Sequence, residues 1–238
     1  MARSRKANRR ALPRLRSSAE PGRRILVLCE GKETEPGYLH SLHEEVRPLA
    51  VQIVIEGYGE DPKALVERAV ARKREIEREA RRRGDSETSP DEIWCVFDVD
   101  EHTRLADARQ QARDNGIELA VSNPSFELWA LLHFQDQTAY LAREKVRSFL
   151  KKHLPDYRKS LPFDRLRPGY EEAVRRAEHL DRRCEERGCP GDNPSTGVYR
   201  LTELIRKEGR ESTEPSIRQM RGFLRGIDTT VERDPDRL

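Results

Sequence analysis

The stretch IWCVFDVDEH, residues 93–102, places an apolar segment directly before clustered acids. The run from Ile93 to Phe97 is typical of a strand that is covered on both faces. Asp98 and Asp100 follow it with one residue between them. Carboxylates this close repel one another and resist burial, so a cation, a neighbouring base or exposure to water must offset their charge. The stretch therefore predicts a buried strand that ends at a candidate functional site.

Further apolar runs occur on either side of this strand, at residues 24–29, 51–55 and 117–121. The segments between them are of helix length, and apolar residues in 65–80 recur at three- and four-residue spacing, as on one face of a helix. These segments predict helices at 36–46, 65–80 and 105–115. Strands that alternate with helices indicate an α/β fold, in which a parallel sheet carries helices on both faces.

The pattern changes after the fourth predicted strand. The segment SNPSFELWALLHF, residues 122–134, predicts an apolar helix with Ser122 or Asn123 as its cap, and GCPGDNPSTG, residues 188–197, predicts a turn-rich break. The remaining helices are predicted at 143–153, 170–187, 196–208 and about 213–226. We therefore expect three parts: a basic arm at 1–23, an α/β core at 24–122 and a helical C-terminal region at 123–238, packed on the core.

The charge of the chain is uneven. The net charge is +3, but residues 1–24 contain nine Lys or Arg residues, among them Arg9 and Arg10, against the single acid Glu20. Such an arm carries too little apolar surface to fold alone and is attracted to polyanions. Contact with nucleic acid and a disordered, solubilising tail both remain open for it.

Composition also bounds the surroundings of the protein. No segment approaches the roughly eighteen consecutive apolar residues that a membrane span needs. Cys29 and Cys95 lie within apolar runs, where a thiol behaves as a small buried hydrophobic group. We therefore expect a soluble, cytoplasmic protein without a membrane partner.

Acids follow two of the predicted strands. Glu30 comes directly after the first strand, and Asp98 and Asp100 end the third. Ligands of parallel sheets gather at the carboxyl ends of the strands. Oxygen ligands suit hard cations such as Mg²⁺, which often takes one or two carboxylates and completes its shell with water and phosphate. These positions predict a site for Mg²⁺ or Mn²⁺.

Several nearby residues are candidates for the same site. Glu127 is an acid among apolar neighbours, and it is either a further metal ligand or a complement to the positive end of a helix. Lys32 and Lys63 lie beside predicted strand ends, where they could hold phosphates as point charges. Glu33 and Glu35 follow Glu30 closely; we expect them to be solvated, and binding of a second metal ion is the alternative.

Six segments of the chain carry a resemblance to a known family. They are ILVLCEGKETEPGYL (25–39), GYGEDPKALVERA (57–69), VFDVDEH (96–102), SNPSFELWALLHF (122–134), YEEAVRRAEHL (170–180) and NPSTGVYRL (193–201). Together they resemble the RloB-like family, restriction-linked proteins of bacteria and archaea. The order of strand, Glu-Gly, crossover, strand and D-x-D looks like the Toprim domain of topoisomerases, primases and OLD-type nucleases.

The resemblance implies specific roles. It makes Glu30 the strand-end acid, which in some Toprim enzymes is a general acid or base, and Asp98 and Asp100 the metal-binding pair. It implies a metal-dependent nuclease that cleaves DNA or RNA, acts as an effector in antiphage defence and in some members is paired with an ATPase. A strand-passing topoisomerase is not expected, because its accompanying domains have no place in so short a chain.

Three other functions compete with this interpretation. A phosphatase of the HAD type would place its D-x-D on the first strand and carry Thr or Val where His102 stands. A metal-dependent glycosyltransferase would leave ILVLCEG and SNPSFELW unexplained. A nucleic-acid-binding or regulatory subunit could keep the fold without the chemistry, although acids that face phosphate gain nothing unless a cation intervenes.

Overall fold

The computed structural model describes residues 23–46, 52–84, 89–99 and 104–209. Within them a mixed sheet has the strand order β2-β1-β3-β4-β5. The strands are β1 (Arg24–Cys29), β2 (Gln52–Gly57), β3 (Glu92–Asp98), β4 (Glu118–Asn123) and β5 (Ser195–Thr196). The first four pair in parallel, and only β5 runs antiparallel to its neighbour.

Helices connect the strands and form most of the C-terminal part, which confirms the predicted α/β class. Their bounds are α1 (Thr34–Val46), α2 (Pro62–Arg83), α3 (Leu105–Asn115), α4 (Glu127–Leu132), α5 (Arg143–His153), α6 (Phe163–Leu166) and α7 (Tyr170–Glu186). A 3₁₀ turn at Arg167–Gly169 precedes α7, and α8 is described over 198–209. The helix predicted at about 213–226 lies outside the described residues.

Local signals fix the helix ends. Asp61 precedes α2, and its side chain accepts hydrogen bonds from the backbone amides of Lys63 and Ala64, which satisfies donors that the first turn leaves unpaired. Gly116 ends α3 with φ at 61°, a left-handed conformation that suits glycine because it has no Cβ. These ends set the entry to β4 and the loop between β2 and α2.

Alternate residues of the strands enter two hydrophobic clusters. Val27 of β1 packs with α1 and the C-terminal helices, whereas the next residue, Leu28, packs with α2 and α3. This period of two follows from the pleat of a strand and shows that helices cover both faces of the sheet. Trp94 and Trp129 lie in the first cluster. The helical C-terminal part thus shares one core with the sheet.

The structure corrects the boundary after the fourth strand. The predicted cap residues Ser122 and Asn123 belong to β4, which pairs there with Thr196 and Ser195 of β5. The hydroxyls of Ser122 and Thr196 are 2.9 Å apart and hydrogen-bonded. The proline after Asn123 also disfavours helical geometry at that residue, so α4 begins only at Glu127. Among the described residues, no helix is long and apolar enough to cross a membrane.

Candidate functional site

Glu30 and Asp98 meet at the carboxyl edge of the sheet. β1 and β3 are parallel neighbours with Cys29 opposite Val96, so the residues that follow them emerge side by side. The backbone amide of Glu30 donates to the carbonyl of Val96 at 2.9 Å. In return, Oε2 of Glu30 accepts a hydrogen bond of 3.0 Å from the backbone amide of Asp98. The side chain of Glu30 therefore lies across the end of β3.

A cavity of about 540 Å³ opens at this edge, and its lining is highly charged. Among the described residues, its acids are Glu30, Glu33, Glu35, Glu60, Asp61, Asp98 and Glu127. Its basic residues are Lys32, Arg143, Arg147 and Lys159. The site thus brings carboxylates and basic side chains together, so it offers oxygen ligands for a metal ion and positive charges for a phosphate.

Asp98 is only half satisfied by the protein. Its Oδ2 accepts a hydrogen bond of 3.0 Å from Nη2 of Arg143, at the start of α5. Its Oδ1 is buried and has no hydrogen-bond partner among the described residues. Burial and the nearby carboxylate of Glu35 raise the pKa of Asp98 well above its ordinary value, although Arg143 opposes the shift. The carboxylate of Asp98 is therefore incompletely satisfied, and a cation or a proton would stabilise it.

Glu35 was expected to be solvated, and that prediction was wrong. It lies in the first turn of α1 with only 7 % of its surface exposed. A side chain at Gly31 would overlap its carboxylate, so the glycine leaves the space that lets Glu35 turn inward. Burial, together with the charges of Glu127 and Glu30, raises the pKa of Glu35. Glu33, by contrast, is exposed.

Glu127 is buried in a different way from Asp98. It begins α4 with 5 % of its surface exposed. Its Oε1 accepts hydrogen bonds from Nε of Arg147 at 2.9 Å and from the hydroxyl of Tyr157 at 3.0 Å. Burial by itself would raise the pKa of Glu127, but the donors, Arg147 among them, outweigh it and the pKa is lowered. Oε1 of Glu127 is therefore already occupied by hydrogen bonds from the protein.

The two predicted lysines lie in different places. Lys32 lines the cavity. Lys63 is in the first turn of α2, with Nζ 3.6 Å from Oε1 of Glu67, and it is not among the residues that line the cavity. Arg9, Arg10 and Asp100 lie outside the described residues, as do Glu101 and His102 of the same loop.

The structure adds basic residues that sequence reasoning missed. Arg143 and Arg147 stand four apart in α5, so both project from one side of that helix toward the cavity. Their spacing was visible in the sequence, but nothing in it linked α5 to the strand ends. The hydrogen bond between Arg143 and Asp98 joins residues 45 positions apart.

The carboxylate oxygens of the site suit a hard divalent cation, although the described residues do not form a complete metal site. Within those residues, no group of three or more His, Cys, Asp or Glu side chains is arranged to hold a metal ion. The unpartnered Oδ1 of Asp98 is an available oxygen ligand beside Glu30. One or two carboxylates with water and substrate oxygens are a normal set for Mg²⁺. The chemistry of these residues therefore fits such an ion.

Comparison with known protein families finds a match. The family described as RloB-like protein matches residues 25–205, a range that includes the candidate site and the whole described sheet except Arg24. No curated protein and no solved structure shows significant similarity to the chain.

Proposed function

The chain belongs to the RloB-like family, and on that premise we propose that it is a metal-dependent nuclease of the Toprim type that hydrolyses phosphodiesters in DNA or RNA. Its site is the carboxyl edge of the sheet around Glu30 and Asp98. The proposal includes kinship with OLD-type nucleases, which rests on the resemblance of the strand-end motifs.

One observation carries the proposal. Two acids from separate strands converge, since the carboxylate of Glu30 accepts the backbone amide of Asp98 at 3.0 Å. Beside them, Oδ1 of Asp98 is buried without a partner among the described residues. A buried carboxylate that lacks donors is costly unless it is protonated or binds a cation. The cavity that surrounds it is open to a substrate.

Some of these residues would bind the metal ion, and others would bind the phosphate. Asp98 and Glu30, with Asp100 from the adjoining loop, would hold Mg²⁺ or Mn²⁺. When bound, such an ion polarises a phosphate and supplies a nucleophilic hydroxide at neutral pH. Lys32 and Arg143, which line the cavity, would hold the phosphate with their positive charges. Glu127 would position Arg147 and Tyr157 at the wall of the cavity.

A second function is favoured by one specific contact. Arg143 donates to Oδ2 of Asp98 at 3.0 Å, so an internal cation already offsets part of the charge. A protein that uses this ion pair permanently has no need of a metal. The second candidate is therefore a catalytically silent nucleic-acid-binding or regulatory subunit.

Either form would serve in antiphage defence, which the family resemblance implies. The proposed setting is the cytoplasm, and the proposed partners are nucleic acid and an ATPase. Expression of wild-type protein and of the Asp98→Asn variant in phage-challenged cells tests this role. Protection that needs Asp98 supports an active nuclease, whereas equal protection by both supports the silent subunit.

Cleavage of a substrate panel tests the enzymatic proposal. Single-stranded and duplex DNA and RNA are incubated with purified protein in Mg²⁺, in Mn²⁺ and in EDTA, alongside the Asp98→Asn variant. We expect cleavage only with a metal and only with Asp98 intact. Cleavage that survives both EDTA and the substitution would contradict the mechanism, and absence of cleavage with every substrate would favour the silent subunit.

A further inference from the structure

A groove of about 690 Å³ adjoins the candidate site and shares Arg143 with it. It runs past Val99, at the end of β3, and Asn123, at the end of β4, toward the loop before α5. Arg143 lines both cavities and also contacts Asp98, so the groove lies next to the proposed position of the scissile phosphate.

Tyr140 lines the groove with 75 % of its surface exposed. Its backbone is nevertheless held in place. The side-chain amide of Asn193 accepts from the amide of Leu141 at 2.9 Å and donates to its carbonyl at 3.0 Å. Gln137 donates to the carbonyl of Ala139 at 2.7 Å. The loop thus presents an aromatic ring to solvent on an anchored backbone.

The charges of the groove suit a nucleobase better than a phosphate. Its one cation among the described lining residues is Arg143, at the end shared with the site, whereas Glu144 and Asp192 line it elsewhere. Carboxylates repel phosphate but accept hydrogen bonds from the exocyclic amines of bases. An exposed aromatic ring gives a stacking surface that tolerates any base.

We propose that this groove holds an unpaired nucleotide next to the scissile phosphate, with its base stacked on Tyr140 and its phosphate at Arg143. The inference rests on the proposed nuclease function, because the nucleotide is placed by its neighbour at Asp98. It narrows the substrate to nucleic acid with at least one unpaired base at the site, since a base within a duplex stack has no free face to offer.

Binding measured without turnover tests this inference separately from cleavage. Fluorescein-labelled twelve-nucleotide single strands of DNA and RNA, and the corresponding duplexes, are titrated both in EDTA and in Ca²⁺, which takes oxygen ligands as Mg²⁺ does, and binding is followed by fluorescence anisotropy. Tyr140→Ala and Tyr140→Leu should weaken single-strand binding roughly tenfold or more, as loss of one stacked base does. Tyr140→Phe should bind like wild type, because it keeps the ring.

Val54→Ala is the matched control. Val54 is the other large hydrophobic residue exposed among those described, at 50 %, and it lies on β2 at the opposite edge of the sheet. This variant should leave binding unchanged. Single-strand affinity that is equal in Tyr140→Ala and wild type, or a wild type that prefers duplexes, would overturn the inference even if metal-dependent cleavage is found. Binding of single strands through Tyr140 without any cleavage would support the proposed role of the groove and contradict the proposed nuclease activity.

Discussion

The strand ends and the start of α4 each bring a buried acid to the same cavity, but the two acids are in opposite electrostatic states. Glu127, at the start of α4, is satisfied by Arg147 and Tyr157, and its pKa is lowered. Asp98, at the end of β3, has one oxygen without a partner among the described residues, and its pKa is raised. A satisfied acid stabilises the fold, whereas a buried acid that lacks donors can bind a ligand. We therefore propose that Glu127 stabilises the fold and that Asp98 takes part in the chemistry of the site.

The largest expected effect concerns cleavage. Asp98→Asn and Glu30→Gln should each lower the rate by more than about 100-fold, beyond the loss of a partner in the outer shell of a metal. Glu127→Gln keeps an acceptor for Tyr157 and should lower the rate by less than about tenfold. Initial rates at saturating Mg²⁺ on the preferred substrate measure all three. Equal losses in all three variants would remove the distinction between the two regions.

The free energy of unfolding should depend strongly on Glu127, whose substitution has the smaller effect on cleavage. Glu127→Ala removes the acceptor of Arg147 and Tyr157 and should lower the free energy of unfolding by about 2 kcal/mol, with the share of Arg147 reduced by its exposure. Urea denaturation measures the change. Tyr157→Phe should cost about half as much. Glu178→Ala, an exposed position on α7, is the control and should stay within about 0.5 kcal/mol of wild type.

The pH dependence of stability without metal should differ in sign between the two acids. The folded pKa of Asp98 is raised, so the folded state holds more protons than the unfolded state, and stability falls as pH rises from the unfolded pKa through the folded one. The folded pKa of Glu127 is lowered, so its contribution is present above its unfolded pKa and is lost as pH falls through the folded one.

Urea midpoints from about pH 3, below the ordinary pKa of a glutamate, to about pH 8 in EDTA measure this difference. Asp98→Asn should gain stability relative to wild type as pH rises, and Glu127→Gln should lose it. If Asp98→Asn instead loses stability relative to wild type as pH rises, as Glu127→Gln does, the carboxylate of Asp98 is already well satisfied. The same result would place Asp98 with Glu127.

The smallest expected effect concerns the two lysines that were predicted to bind phosphate. Lys32 lines the cavity, whereas Lys63 is near Glu67 on α2. Lys32→Gln should weaken binding of a nucleic acid a few-fold and reduce the slope of log K against log salt by about 1. Lys63→Gln should change both quantities less. A larger change from Lys63 would move the path of the substrate toward α2.

Much of the fold followed from the sequence, because long apolar runs and regular helical spacing depend on local chemistry. The convergence of Glu30 and Asp98 could also be expected, since the ends of parallel strands share an edge. β5 could not, because Ser195 and Thr196 form a strand only through their pairing with β4. Glu35 turns inward beside Gly31, a local contact that the sequence reasoning missed, whereas Arg143 reaches Asp98 through a long-range contact that no local pattern encodes.

The central claim is that the acids of the two strand ends share one divalent cation. A titration with Mn²⁺, followed by the electron paramagnetic resonance signal of the free ion, tests it without any substrate. Wild type should bind Mn²⁺, Asp98→Asn and Glu30→Gln should each weaken binding at least about tenfold, and Glu127→Gln should bind like wild type. Binding of Mn²⁺ that is unchanged in Asp98→Asn would contradict the account.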